Sequence, residues 1–250
     1  MSGHSKWSTI KHKKARMDAQ RGKVFTKLIK EITVAARTGG GDEDMNPRLR
    51  TAIQAAKAAN MPSDNIKRAV QKGTGELGGV EYLEITYEGY GPGGVAILLD
   101  TVTDNKNRTA AAVRHVFNKY NGKLAEPGAV AWMFETKGVI EVAKADGVEE
   151  EALMLAALEA GAQDLTDEGE VFRILSSLES FSAVQRTLEA SYRFASVGIE
   201  KLPQNTVAVD EKDAPGLLRL MEMLEDLDDT QKLTANFDID DDILARIDTD

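Results

Sequence analysis

The chain has 250 residues, 42% hydrophobic and 29% charged, and no cysteine. That apolar content can bury a core and excludes wholesale disorder; the missing cysteine excludes disulfide scaffolds, thiolate zinc sites, iron–sulfur clusters and cysteine nucleophiles. The formal net charge of −10 conceals a segregation, because residues 1–78 hold sixteen Lys and Arg against seven Asp and Glu, and the other 172 hold fifteen against thirty-four. Such asymmetry points to a nucleic-acid-facing front end and an acidic remainder.

Residues 1–23 carry seven Lys and Arg plus two His, and beyond Met1 their larger apolar residues are the sparse Trp7, Ile10 and Met17. They show no helical repeat and read as a basic arm that is ordered when something binds it. From Val24 the apolar residues Phe25, Leu28, Ile29, Ile32 and Ala36 recur at three- and four-residue steps, which predicts an amphipathic helix to about Arg37, stopped by Gly39-Gly40-Gly41. A second helix is expected after Asn46 and Pro47, with Leu49, Ala52, Ile53 and Ala56 buried. A third is expected from a Ser63 cap to Gly73. Three short helices make residues 24–78 a helical bundle.

The glycine-rich stretch at 73–79 is the clearest boundary, and beyond it the periodicity becomes that of strands. Leu83, Ile85 and Tyr87 alternate with polar residues, GYGPGG turns the chain into a strand at 95–100, and a helix covers about 107–120. A ferredoxin-like set follows. It comprises strands at 130–134 and 139–143 around a turn at 136–138, a helix at 149–160, a strand at 170–175, a helix at 181–191 and a strand at 194–201. A strand at 206–209, a helix at 213–227 capped by Asp213 and a strand at 232–237 come last, before an acidic tail at 240–250. That final pair needs the earlier unit to bury its faces. The expected organisation is therefore α+β in three domains: the three-helix bundle and two ferredoxin-like α/β domains, a discontinuous one of residues 79–128 and 206–239 and one of residues 129–205 inserted into it.

No catalytic constellation stands out. Two stretches match G-x-G-x-x-G at Gly73 and Gly89, but one follows a helix and the other leads into a strand, so neither has the strand–turn–helix context of a dinucleotide site. Asp238, Asp240 and Asp242 have calcium-loop spacing, yet Ile243 replaces the required glycine and Thr249 the chelating glutamate. His4, His12 and His115 have no paired metal ligands. No catalytic residue, cofactor or metal is assigned, and the chain reads as a non-enzyme. No apolar run reaches the ~20 residues that span a bilayer, and the basic amino terminus has no apolar stretch behind it, so neither membrane contact nor a secretory signal is expected. The basic arm rises above this background. Lysines and arginines neutralise phosphates and release counterions, and Trp7 suits stacking on an exposed base.

The opening GHSKWSTIKHKKARMDAQRGKVFTKLIKEITVAAR, the later NPRLRTAIQAAKAANMPSDNIKRAV and YEGYGPGGVAILLDTVTDNKNRTAAAVRH, and the segment GKLAEPGAVAWMFETKGVI closely resemble the YebC (PmpR-type) family from the first residues to about Asp240. The resemblance implies a helical bundle and two α/β domains, a cytoplasmic location, and DNA-binding transcriptional regulation. The alternative it carries is an RNA- or ribosome-binding translation factor, since relatives include a mitochondrial translational activator. It implies no catalytic residues. It marks Lys6, Trp7, Lys11, His12, Lys13, Lys14, Arg16, Arg21, Lys23 and Lys27 as candidate nucleic-acid-binding residues. DNA is the favoured partner, ribosomal or messenger RNA the alternative, and the acidic α/β domains are left to face a ribosome or a protein.

Overall fold

The computed structural model describes residues 17–78, 81–144 and 148–247, with side chains from Gly22 onward. The first helix, α1 (Met17–Gly39), begins seven residues upstream of the expected start. Residues 17–23 lack an apolar stripe, but Met, Ala, Gln, Arg and Lys favour helix intrinsically, and that signal operates without periodicity. Gly40 ends the helix at φ +86, a left-handed conformation in which a side chain would be strained. α2 (Pro47–Ala58) is capped by Asn46, whose Oδ1 accepts the Leu49 amide at 3.1 Å and whose Nδ2 donates to the carbonyls of Ala35 and Gly40. α3 (Ser63–Gly73) starts after Pro62 with no side-chain cap, so Ser63 is the first helical residue rather than the cap. The bundle core joins Ile32, Ala35 and Ala36 of α1 to Leu49, Ile53 and Ala56 of α2 and to Ile66 and Ala69 of α3. α1 and α3 pack tightly at Gly73, where an added Cβ would strike the Thr33 carbonyl and come within 2.6 Å of the Ala36 Cβ.

β1 (Leu83–Tyr90) and β2 (Ala96–Thr103) form an antiparallel hairpin around a 3-10 turn at Pro92–Gly94. α4 (Lys106–Lys119) and the short β3 (Lys123–Ala125) follow. After the inserted region come β8 (Val207–Val209), α7 (Ala214–Glu225), β9 (Thr230–Ala235) and β10 (Phe237–Ile239). The sheet runs β3-β1-β2-β9, so β9 pairs directly with β2 across more than a hundred residues of sequence. α4 and α7 cover one face, with Val113, Val116 and Phe117 meeting Leu217, Leu220 and Leu224 over Ile97, Leu99 and Leu233. β8 and β10 make a separate two-stranded parallel sheet. The expected strand to Phe237 divides at Asn236, whose carboxamide oxygen turns away to accept the Ala96 amide at 2.7 Å. The Asp213 side chain makes no cap; Asp210 instead holds the Asp213 amide. The acidic segment at 240–250 is not merely a solvated tail. Its residues Asp241–Ile247 form α8, and Ile243, Leu244 and Ile247 pack on the core.

Residues Phe134–Gln204 form a compact unit of their own. It is built from β4 (Phe134–Ala143), α5 (Glu150–Glu159), β5 (Ala162–Asp167), β6 (Val171–Ser176), α6 (Leu178–Glu189) and β7 (Phe194–Pro203). The order β5-β6-β4-β7 with every neighbour antiparallel is the ferredoxin-like arrangement. Two expectations fail here. No turn interrupts 136–138, because Gly138 sits within β4 where an added Cβ would run into the Phe181 ring; the glycine makes room rather than a bend. Residues 131–133, read as strand, are a 3-10 turn. The sequence reading also omitted β5, a polar strand of which Leu165 alone is buried.

Candidate nucleic-acid interface

Of the candidate residues, Lys6, Trp7, Lys11, His12, Lys13, Lys14 and Arg16 lie outside the described residues, as does the side chain of Arg21, whose backbone is in α1. Lys23 and Lys27 are placed, and both amines are engaged by the carboxyl end of α7, Lys27 partly buried and Lys23 at the exposed edge. Lys23 Nζ lies 3.3 Å from the Asp226 carbonyl and 3.5 Å from its carboxylate; Lys27 Nζ donates to the Glu225 carbonyl at 2.6 Å. One turn on, Lys30 Nζ reaches Asp229 Oδ1 at 2.6 Å and the Asp228 carbonyl at 2.9 Å. Positions 23, 27 and 30 share one helical face. That face meets the carboxyl end of α7, where unpaired carbonyls and the helix dipole attract cations. These lysines therefore dock the bundle on the α/β domain.

Asp229 is the centre of that joint. Besides Lys30 it accepts Thr109 Oγ1 at 2.6 Å and Arg108 Nη2 at 3.1–3.2 Å, while Arg108 also grips Asp104. Burial alone would raise its carboxyl pKa, but the hydrogen bonds from Lys30, Thr109 and Arg108 together outweigh that and hold it below the ordinary carboxylate value. A second tie is Arg48 of α2, which forks onto Glu31 of α1 at 2.7 and 3.1 Å and onto Glu84 of β1 at 2.8 and 3.3 Å.

With those cations engaged, a different set faces solvent. Lys67, Arg68 and Lys72 are exposed along α3, Arg37 is exposed at the end of α1, and none has a carboxylate partner among the described residues. Arg37 and Lys72 border a groove of about 280 Å³ lined also by Thr33, Gly73, Leu77 and Tyr82. α3 concentrates apolar residues on one side and leaves Asn65, Lys67, Arg68 and Lys72 on the other, so its outer face can meet phosphate without deforming the core. The candidate residues read from the sequence end at Lys27, short of α3. The sequence carried no signal that Lys23 and Lys27 have partners within the protein, since the residues that engage them lie about 200 positions away.

The other conspicuous site is a loop. The buried Glu88 carboxylate accepts the amides of Gly128 at 2.6 Å, Val130 at 2.7 Å and Ala131 at 2.9 Å, and the Val130 side chain is fully buried. Trp132 follows, 67% exposed. In the sequence reading Trp132 falls within the strand expected at 130–134 and carries no functional assignment. The described residues contain no cluster of His, Asp or Glu fit to hold a metal, and no helix long and apolar enough to cross a membrane.

The profile described as the TACO1/YebC protein N-terminal domain matches residues 5–76, and that of the TACO1/YebC second and third domain matches residues 82–237. The chain belongs to the TACO1/YebC family. Relatives within it carry the name probable transcriptional regulatory protein. One from Syntrophobacter fumaroxidans is 59% identical over 251 residues, covering 99% of this chain and all of the relative. Another, GSU1074 from Geobacter sulfurreducens, is 57% identical over 240 residues, 96% of each chain. A solved structure, the conserved hypothetical protein Aq1575 of Aquifex aeolicus, superposes with a TM-score of 0.82 at 48% identity, covering 92% of this chain and 96% of that one. The multi-domain α+β architecture is thus that of the TACO1/YebC family.

Proposed function

We propose that this TACO1/YebC protein is a non-enzymatic, cytoplasmic regulatory protein that binds the phosphate backbone of nucleic acid, DNA in the first place, through its basic front end. The observation that carries the reading is a sorting of charge. Lys23, Lys27, Lys30 and Arg48 have partners inside the protein, whereas Lys67, Arg68, Lys72 and Arg37 present exposed cations to solvent. The unplaced cations Lys6, Lys11, Lys13, Lys14, Arg16 and Arg21 precede them in sequence and extend the same charge. The names of the relatives support transcription over translation. α3 is short and offers few groups to base edges, so binding is set by phosphate contacts with weak sequence preference. The acidic remainder orients the docking by repelling the polyanion and is free to meet protein.

Titration of labelled duplex DNA and of structured RNA at several salt concentrations tests this. With about five phosphates neutralised, log affinity for duplex DNA falls against log salt with a slope of roughly −4 to −5. Charge reversal of Lys11, Lys13 and Lys14 flattens that slope. A salt-independent affinity defeats the backbone reading, and RNA bound far more tightly than DNA at equal salt moves the protein to the translational alternative.

A further inference from the structure

We propose that Trp132 is a stacking platform for an unpaired nucleobase; this rests on the nucleic-acid reading above and names a second contact for the same ligand. The loop that carries it is built to hold still. Three consecutive-region amides, those of Gly128, Val130 and Ala131, converge on the one buried carboxylate of Glu88. The Ala129 carbonyl between them accepts both the Tyr90 hydroxyl at 3.2 Å and the Trp132 indole Nε1 at 3.1 Å. The indole therefore has its only polar group satisfied and its position set by a fixed backbone, while two thirds of the residue's surface faces solvent. A large apolar ring displayed in this way, with little conformational freedom left to lose, suits a flat π-surface that stacks on it.

The placement on the sheet selects a base as the occupant. Glu84 and Glu88 are four residues apart on β1, so their side chains share one face and lie about 13 Å apart. It is the face opposite Tyr87, which packs toward α4 and α7. Glu84 on that face is held by Arg48 of the basic bundle, and Glu88 on the same face anchors the Trp132 loop. Tyr82, directly before β1, lines the groove that the exposed Arg37 and Lys72 border, and Glu88 lies six residues further along the chain, about 20 Å away. A strand whose phosphates meet those cations reaches the Trp132 loop within a few nucleotides, and base–aromatic stacking supplies sequence-tolerant affinity there.

The chain has two tryptophans, so in the full-length Trp7→Phe protein Trp132 is the sole indole reporter. A twelve-nucleotide single strand of thymidines is titrated against it, alongside an abasic strand of the same length and inorganic polyphosphate, with strand binding followed separately by anisotropy of an end label. The expected result is quenching of Trp132 emission by the thymidine strand and none by the two base-free polyanions. In the chain that keeps Trp7, Trp132→Ala weakens the thymidine strand fivefold to a hundredfold and the abasic strand by less than twofold, and Trp132→Phe recovers part of the loss. If the labelled strand binds but neither emission nor affinity responds to Trp132, the platform is refuted while the nucleic-acid reading stands, and the ring is left to a protein partner. If no strand or duplex binds at all, the nucleic-acid reading fails and takes the platform with it.

Discussion

Each of the two α/β regions buries a charged side chain that gathers groups of opposite charge, and the two hubs have opposite signs. In the discontinuous domain a single carboxylate, Asp229, gathers Lys30, Arg108 and Thr109. In the inserted domain a single guanidinium, Arg173 of β6, gathers Glu141 of β4 at 3.1 Å, Glu200 of β7 at 2.6 Å and Glu168 at 4.0 Å, with Ser196 bonded to Glu141 behind it. The first hub joins separate pieces of chain: α1, the start of α4 and the loop before β9. The second ties neighbouring strands of one sheet and carries an excess of negative charge. The buried carboxylate draws in cations and so fixes a basic helix in place, whereas the buried guanidinium draws in carboxylates and so ties the strands of one sheet.

Removing the hub residues breaks this contrast in graded ways. Asp229→Ala strands the buried Lys30 ammonium and costs about 3–5 kcal/mol of unfolding free energy. The Lys30→Met, Asp229→Leu double variant recovers most of that loss, because a well-packed apolar pair replaces the ion pair, and denaturant titration reads both. Arg173→Met is milder, about 1–3 kcal/mol, since its glutamates are partly open to water. Lys23→Ala removes a half-exposed pair with Asp226 and changes stability by less than about 1 kcal/mol.

The pH response sharpens the comparison further. The Asp229 carboxyl is held below its unfolded value near 3.9. On acidification the unfolded chain takes up that proton first, so its stabilisation is complete well above pH 4 and is lost as pH falls through the lower folded value. The deficit of Asp229→Ala therefore stays nearly constant between pH 7 and pH 5 and shrinks only on stronger acidification.

Much of the architecture is legible in the amino-acid sequence because its signals are local. Apolar steps of three and four mark Leu28, Ile32 and Ala36 as one face, the Asn46-Pro47 start is visible in two residues, and the unsatisfied faces of the last helix and strand call for the earlier hairpin, which β9 indeed joins at β2. What escaped was non-periodic or distant. The polar β5 has no alternation to detect, and Gly138 reads as a turn although its role is space for Phe181. At the site the same division holds. A cluster of lysines is plain in the sequence, but which lysines reach solvent is decided by where α7 ends. Glu88 looks like any polar residue on a strand until the three amides around it are seen.

The central claim, that exposed cations of the bundle hold a polyanion while those at positions 23, 27 and 30 hold the protein together, is tested most directly by salt titration of a Lys67→Glu, Arg68→Glu, Lys72→Glu variant on duplex DNA. Loss of three phosphate contacts makes the slope of log affinity against log salt shallower by about three, with unfolding unchanged. A slope equal to that of the natural chain would contradict the account.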